Sequence, residues 1–231
     1  MKRINCDIFA LSDAKNLEEF CITGNFYAQE GFFGSSIDAG GDIILEDFSS
    51  VESITAGGNV EIGDYSVIAR ITADGNISIG EDAYVDKILS AGDISVGDFL
   101  CCKELESQKG NINVKNNCSV EKTTSTSGSV SFGSKVEANL ISASEDVFIQ
   151  DDAKVQNINA GCNVSIGSNC YITEIIASCN VVVAEKADVV VIESAGNIMT
   201  GKMSQLGIIS YRGILSLGDG SKCHLIKNAS E

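Results

Sequence analysis

The chain contains no proline, no tryptophan and only one histidine. It also lacks any run of about 18 apolar residues, the length a helix needs to cross a bilayer. Each absence narrows the field. Without proline, no backbone amide needed for a strand ladder is missing. With aromatics at only 6% of 231 residues, the interior is expected to be narrow. A single histidine leaves one candidate, His224, for the commonest kind of general base. Positive charge is scarce as well. Sixteen Lys and Arg against 32 Asp and Glu give a net charge of -16, which excludes nucleic acid and anionic membranes as partners because their phosphates attract cations. Met1 to Leu11 shows neither the apolar stretch nor the cleavage site of a secretory leader, so a cytoplasmic location is expected. The nine cysteines are then expected as reduced thiols, their odd number weakens a disulfide framework, and no spacing among them matches a zinc site. No cofactor is expected.

What the chain does have is a period. A small residue, then Asn or Asp, then apolar–x–apolar begins at Gly24 and recurs at Gly41, Gly58, Gly75, Gly92, Gly110, Gly128, Glu145, Cys162, Cys179, Gly196 and Gly213. The step is 17 residues, except for two steps of 18 from Gly92 and Gly110. A fixed period over most of the length means one supersecondary unit stacked on itself. Counting the small residue as position 0, position 2 is always apolar, running Phe26, Ile43, Val60, Ile77 and onward to Leu215. Position 13 is Ile or Leu in every turn but one, where Thr123 stands. β-branched residues two apart and flanked by polar ones read as half-buried strands.

Each turn therefore offers three short inward-facing segments, at positions 2–4, 8–10 and 13–15. The reading is an all-β, single-stranded parallel β-helix (a β-solenoid) of about 12–13 rungs of 17 residues. Right-handedness is expected because parallel crossovers favour it, and because positions 2, 4, 10 and 13 do not repeat by six as in left-handed hexapeptide coils. Residues 24–231 form the coil, and residues 1–23 form an N-terminal cap or an irregular first rung. In that segment Phe9, Leu11, Leu17 and Phe20 suit a rung, whereas Ser12 to Phe20 suits a short capping helix. Asn and Asp at position 1 suit a left-handed corner and could also bond to one another along the stack. The two 18-residue turns are expected to absorb their extra residue as a bulge, with a loosened waist at Lys122 to Ser127.

At Ile37-Asp-Ala-Gly-Gly-Asp-Ile, Ile54-Thr-Ala-Gly-Gly-Asn-Val and Ile71-Thr-Ala-Asp-Gly-Asn-Ile the chain resembles two related bacterial groups. One is the bactofilins, polymer-forming cytoskeletal β-helices. The other is the β-helical domain of flagellar-assembly-protein-A-type proteins, whose repeats similarly read Ile-x-Ala-Gly-Gly-(Asp/Asn)-Ile. The similarity covers about residues 24–228. The resemblance implies a structural protein that forms filaments in a bacterial cytoplasm.

Several constellations bear on function. Gly196-x-x-x-x-Gly201-Lys202 mimics a phosphate loop, but Met203 replaces the Ser or Thr that would hold Mg²⁺, and no helix follows. His224 falls at a corner with no partner suggested by spacing, and it carries the alternative reading of an acyltransferase-like left-handed coil. A secreted carbohydrate-binding or adhesive β-helix is a further alternative, set back by the missing leader and the few aromatics. Glu30, Asp47, Asp64, Glu81 and Asp98 share position 6 in five successive turns and read as a solvated acidic edge, with weak divalent-cation binding or docking of a basic partner as the alternative. Cys162 and Cys179 stack one turn apart with parallel side chains, which disfavours the dihedral a disulfide needs. Val182 with Met199, and Val191 with Ile208, place apolar pairs on outward positions, as a protein contact surface would, or a face covered by the chain's own N-terminal segment. Leu217 and Ile226 belong to the last rung, and an uncovered edge strand there predicts a homo-oligomer joined through the C-terminal rung.

Overall fold

The computed structural model describes residues 2–4, 8–10 and 17–228. The chain divides into two compact units, Met1–Lys115 and Asn116–Glu231. Both are β-solenoids made of one repeated turn of about 17 residues: a short strand, a corner, a long strand and a bend. In Met1–Lys115 the strands Ile8–Ala10, Phe26–Ala28, Ile43–Leu45, Val60–Ile62, Ile77–Ile79, Ile94–Val96 and Ile112–Val114 pair in chain order as one parallel sheet. Lys2–Ile4, Leu17–Ile22, Phe33–Ala39, Ser50–Ala56, Val67–Ala73, Tyr84–Ser90 and Cys101–Ser107 form the other. Asn116–Glu231 repeats the plan, with short strands from Val130–Phe132 to Leu215–Ser216 and long strands from Ser119–Ser125 to Lys222–Asn228.

The segments at positions 8–10 and 13–15 are not separate strands. They are limbs of one seven-residue strand that bends at position 11. In Ser50–Ala56 the residues Val51, Ile54 and Ala56 point inward, and the pairing with the next turn runs Ser50↔Val67, Val51↔Ile68, then Ser53↔Arg70, skipping Glu52. Two consecutive outward positions turn the chain without ending the ladder. This bend gives the core a third wall from only two sheets.

Columns of like residues fill the interior. Ile37, Ile54, Ile71, Ile88 and Leu105 stack in the first unit, and Ile141, Ile158, Ile175, Ile192 and Ile209 in the second, each at 0% exposure. Burying such a side chain is worth about 1.5–3 kcal/mol. Thr123 occupies the same column and is equally buried, so the waist is not loosened. Its fault is chemical: Oγ1 is buried with no hydrogen-bond partner. The extra residues of the two long turns also differ from the expected bulge. The strands Cys101–Ser107 and Ser119–Ser125 keep their seven residues, and the surplus falls in the bends after them, at 108–110 and 126–128.

The left-handed corner lies at position 7, not at position 1. Phe48, Tyr65, Asp82, Phe99, Asn117, Lys135, Asp152, Asn169, Lys186 and Met203 all have φ between 54° and 62°, and Gly31 and Gly220 take the same place with positive φ. Position 1 does something else. Asn25 Oδ1 accepts from the Asp42 amide at 2.8 Å, Asp42 Oδ1 from Asn59 at 2.7 Å, and Asn59 Oδ1 from Asn76 at 2.9 Å. The ladder recurs from Asp146 through Asn163, Asn180 and Asn197. It explains the glycine that precedes it: a Cβ on Gly58 would collide with Asp42 Oδ1.

At the N-terminal end, residues 17–20 are strand, so the helix reading fails there, while Ser12 to Asn16, with Leu11, lies outside the described residues. Leu17–Ile22 pairs with Phe33–Ala39 in register, as a further rung would. Phe9 pairs with the outward-facing position of Tyr27. Phe20, Phe26 and Phe32 pack on one another, with ring centroids 5.4 and 5.5 Å apart.

Candidate interaction surfaces

In Asn116–Glu231 the outward-facing apolar pairs lie where the period places them. Val182 pairs in register with Met199, and both are exposed. Val191 pairs with Ile208, and Ile208 with Leu225; Val191 is half-buried and the other two are exposed. Val190, one residue from Val191, is exposed too and lines an open groove of about 650 Å³ with Asp188, Gln205, Cys223 and His224. His224 is exposed.

The last turn of this unit shows its core residues to solvent. Ile209 is fully buried, whereas Ile226, its register partner in the next turn, is 47% exposed. Leu206 is buried and its partner Cys223 only half-buried; Leu217 is exposed. The same side-chain columns that are dry elsewhere are open here, because no described strand lies beyond Lys222–Asn228.

The acidic row of Met1–Lys115 is partly structural. Asp47 Oδ1 accepts from the Asp64 amide at 2.8 Å, and Asp64 Oδ1 from the Glu81 amide at 2.7 Å. These are corner ladders like that of position 1, and they use one oxygen of each carboxylate. No cluster suited to a metal ion is found among the described residues.

The sequence pattern did not single out the aromatics beside this row. Phe48, Tyr65 and Phe99 stand at the left-handed corner, each 53% exposed, and the Phe48 and Tyr65 rings stack at 5.0 Å with an 8° tilt. Phe33, Val67 and Tyr84 stand exposed two positions further along their turns. Tyr84 Oη donates to Asp86 at 2.9 Å, and Lys103 pairs with the same carboxylate at 2.6 Å. The Lys103 bond, reinforced by Tyr84, holds Asp86 below the usual carboxylate range. The signal was present in sequence as Asp47-Phe48, Asp64-Tyr65 and Asp98-Phe99, one period or two apart.

Among the cysteines, Cys102, Cys118 and Cys170 are buried fillers, and desolvation pushes the Cys102 thiol up to about 12. Cys162 and Cys179 lie in the bends rather than in strands, which lets their sulfurs converge to 3.2 Å as a hydrogen bond. That bond and desolvation push the Cys162 thiol up to about 11. The phosphate-loop mimic is dispersed: Gly196 lies in a bend, Gly201 follows the strand Ile198–Thr200, and Met203 sits at the left-handed corner. Among the described residues no helix is long and apolar enough to cross a membrane.

Comparison of the chain with protein-family models, with curated proteins and with solved structures finds no match.

Proposed function

We propose that the protein is a non-enzymatic, bactofilin-like structural scaffold of a bacterial cytoplasm that self-associates through the last turn of Asn116–Glu231. The observation that carries this reading is the set of exposed apolar side chains in that turn, Leu217, Leu225 and Ile226 at 37%, 46% and 47%. Covering Leu217, Ile226 and Cys223 with a second copy removes apolar surface from water at about 25 cal/mol per Å². The apolar pairs Val182–Met199 and Val191–Ile208 supply a second contact face, for a protein partner of the scaffold.

Light scattering across a concentration series tests this. Wild-type protein is expected as dimers or longer assemblies, and the double variant Leu217→Lys, Ile226→Lys as folded monomers. Wild-type protein that stays monomeric at high concentration removes self-association from the reading.

A further inference from the structure

The left-handed corner of Met1–Lys115 carries side chains that the coil does not need. At this backbone position an L-residue with a bulky side chain is disfavoured, and Gly, Asn and Asp are the usual occupants. Gly31 and Asp82 follow that rule within the same unit, yet Phe48, Tyr65 and Phe99 break it, and each leaves about half its surface in water. These rings gain little from folding, so their selection points to something outside the chain. Phe33, Val67 and Tyr84 widen the row, and Phe33 and Val67 wall a shallow groove of about 310 Å³ beside it.

Charge says what the outside partner is. The five corner segments 29–33, 46–50, 63–67, 80–84 and 97–101 contain Glu30, Glu46, Asp47, Asp64, Glu81, Asp82 and Asp98, and no Lys, Arg or His. Lys115 borders the row from a neighbouring groove. The amide ladder engages Oδ1 of Asp47 and Asp64, and their other oxygens take no part in it. Negative charge alternates here with exposed aromatic faces, the pairing that attracts guanidinium and ammonium groups through carboxylates and ring quadrupoles together.

We propose that the edge formed by Phe33, Phe48, Tyr65, Tyr84 and Phe99 is a docking surface for a Lys- and Arg-rich segment of another protein. A second copy docking through the same edge does not suit it, because it would bring the same carboxylates against themselves. Phe48 and Tyr65 each turn one face to the other in their stack, which leaves the outer face of the pair for a guanidinium plane, next in sequence to the Asp47 and Asp64 carboxylates. The proposal is independent of self-association, which uses the other unit.

The test uses the full chain and an oligo-arginine peptide as probe, titrated calorimetrically at low and at physiological salt. The decisive variant is Phe48→Asn, Tyr65→Asn, Phe99→Asn, which keeps every charge and installs a residue that the same corner carries at Asn117 and Asn169. Peptide affinity is expected to fall by about tenfold or more in this variant. The control Phe148→Asn, Tyr171→Asn, which removes exposed aromatics of the other unit, is expected to change it by less than about twofold. Equal affinity in wild type and triple variant would reduce the binding to unspecific attraction by an acidic protein and overturn the proposal. Binding of a neutral oligosaccharide in place of the peptide would overturn it too, by naming another occupant. If the triple variant fails to fold, Tyr65→Asn alone carries the same comparison, with an expected loss of about threefold.

Discussion

At one and the same backbone corner, Met1–Lys115 carries Phe48, Tyr65, Asp82 and Phe99, whereas Asn116–Glu231 carries Asn117, Lys135, Asp152, Asn169, Lys186 and Met203. The φ values are alike, and so are the strands on either side. The surrounding charge differs: the corner segments of the second unit mix Lys135, Lys154, Lys186, Lys202 and Lys222 with six acids. A solenoid thus separates two kinds of choice. Inward columns are set by packing and repeat in both units. Outward corners are free of packing, so a departure there records use more directly than it would in a compact fold, where one side chain often serves both ends.

The largest effect is expected where the units are the same. Ile71→Asp and Ile158→Asp each place an unpaired carboxylate in a dry column and should each cost about 4 kcal/mol or more. Urea unfolding of the two variants measures it. Clearly unequal losses would break the claim that the two cores are equivalent. Next in size is the column's one polar member. Thr123→Val removes a buried hydroxyl that has no partner and keeps the shape, so it should raise stability by about 1 kcal/mol. A higher urea midpoint with unchanged slope is the expected reading, and a lower midpoint would mean that the hydroxyl is satisfied in solution.

The smallest effect is expected at the corner, where a reciprocal exchange sharpens the comparison. Phe48→Asn should leave stability unchanged or raise it by up to about 0.5 kcal/mol, while Asn169→Phe should lower it by about 0.5–1 kcal/mol. Thermal melts of both decide. A loss on removing Phe48 would show that its stacking on Tyr65 holds the fold together, and the aromatics would then need no outside partner.

Much of this architecture was legible in residue spacing. The buried columns at positions 2 and 13 announce themselves because core packing tolerates only apolar side chains there; Ile43, Ile54, Ile77 and Ile88 are all essentially dry. Spacing could not show that Val51 and Ile54 belong to one bent strand, because the bend needs no Gly or Pro at Glu52, only two successive outward residues. Nor could it find the left-handed corner. Asn and Asp at position 1 carry the usual mark of such a backbone but spend their side chains on the amide of the next turn, while Phe48 and Tyr65 occupy the true corner against preference. The candidate contacts divide the same way. Val182, Met199, Val191 and Ile208 were visible as outward-facing hydrophobes in a strand pattern, whereas Phe48, Tyr65 and Phe99 lie between strands, where no alternation flags them.

The bends at 108–110 and 126–128 take up an additional residue while the strands before and after them stay at full length. That gives the coil an expansion joint. Length can vary after the long strand without moving any inward column, because register is set by the strands and not by the count between them. Loop insertions, reporter tags or lineage-specific elaborations would be accommodated at 161–162 or 178–179 on the same grounds, whereas a single residue added between Val155 and Ile158 would turn the inward face of that strand outward.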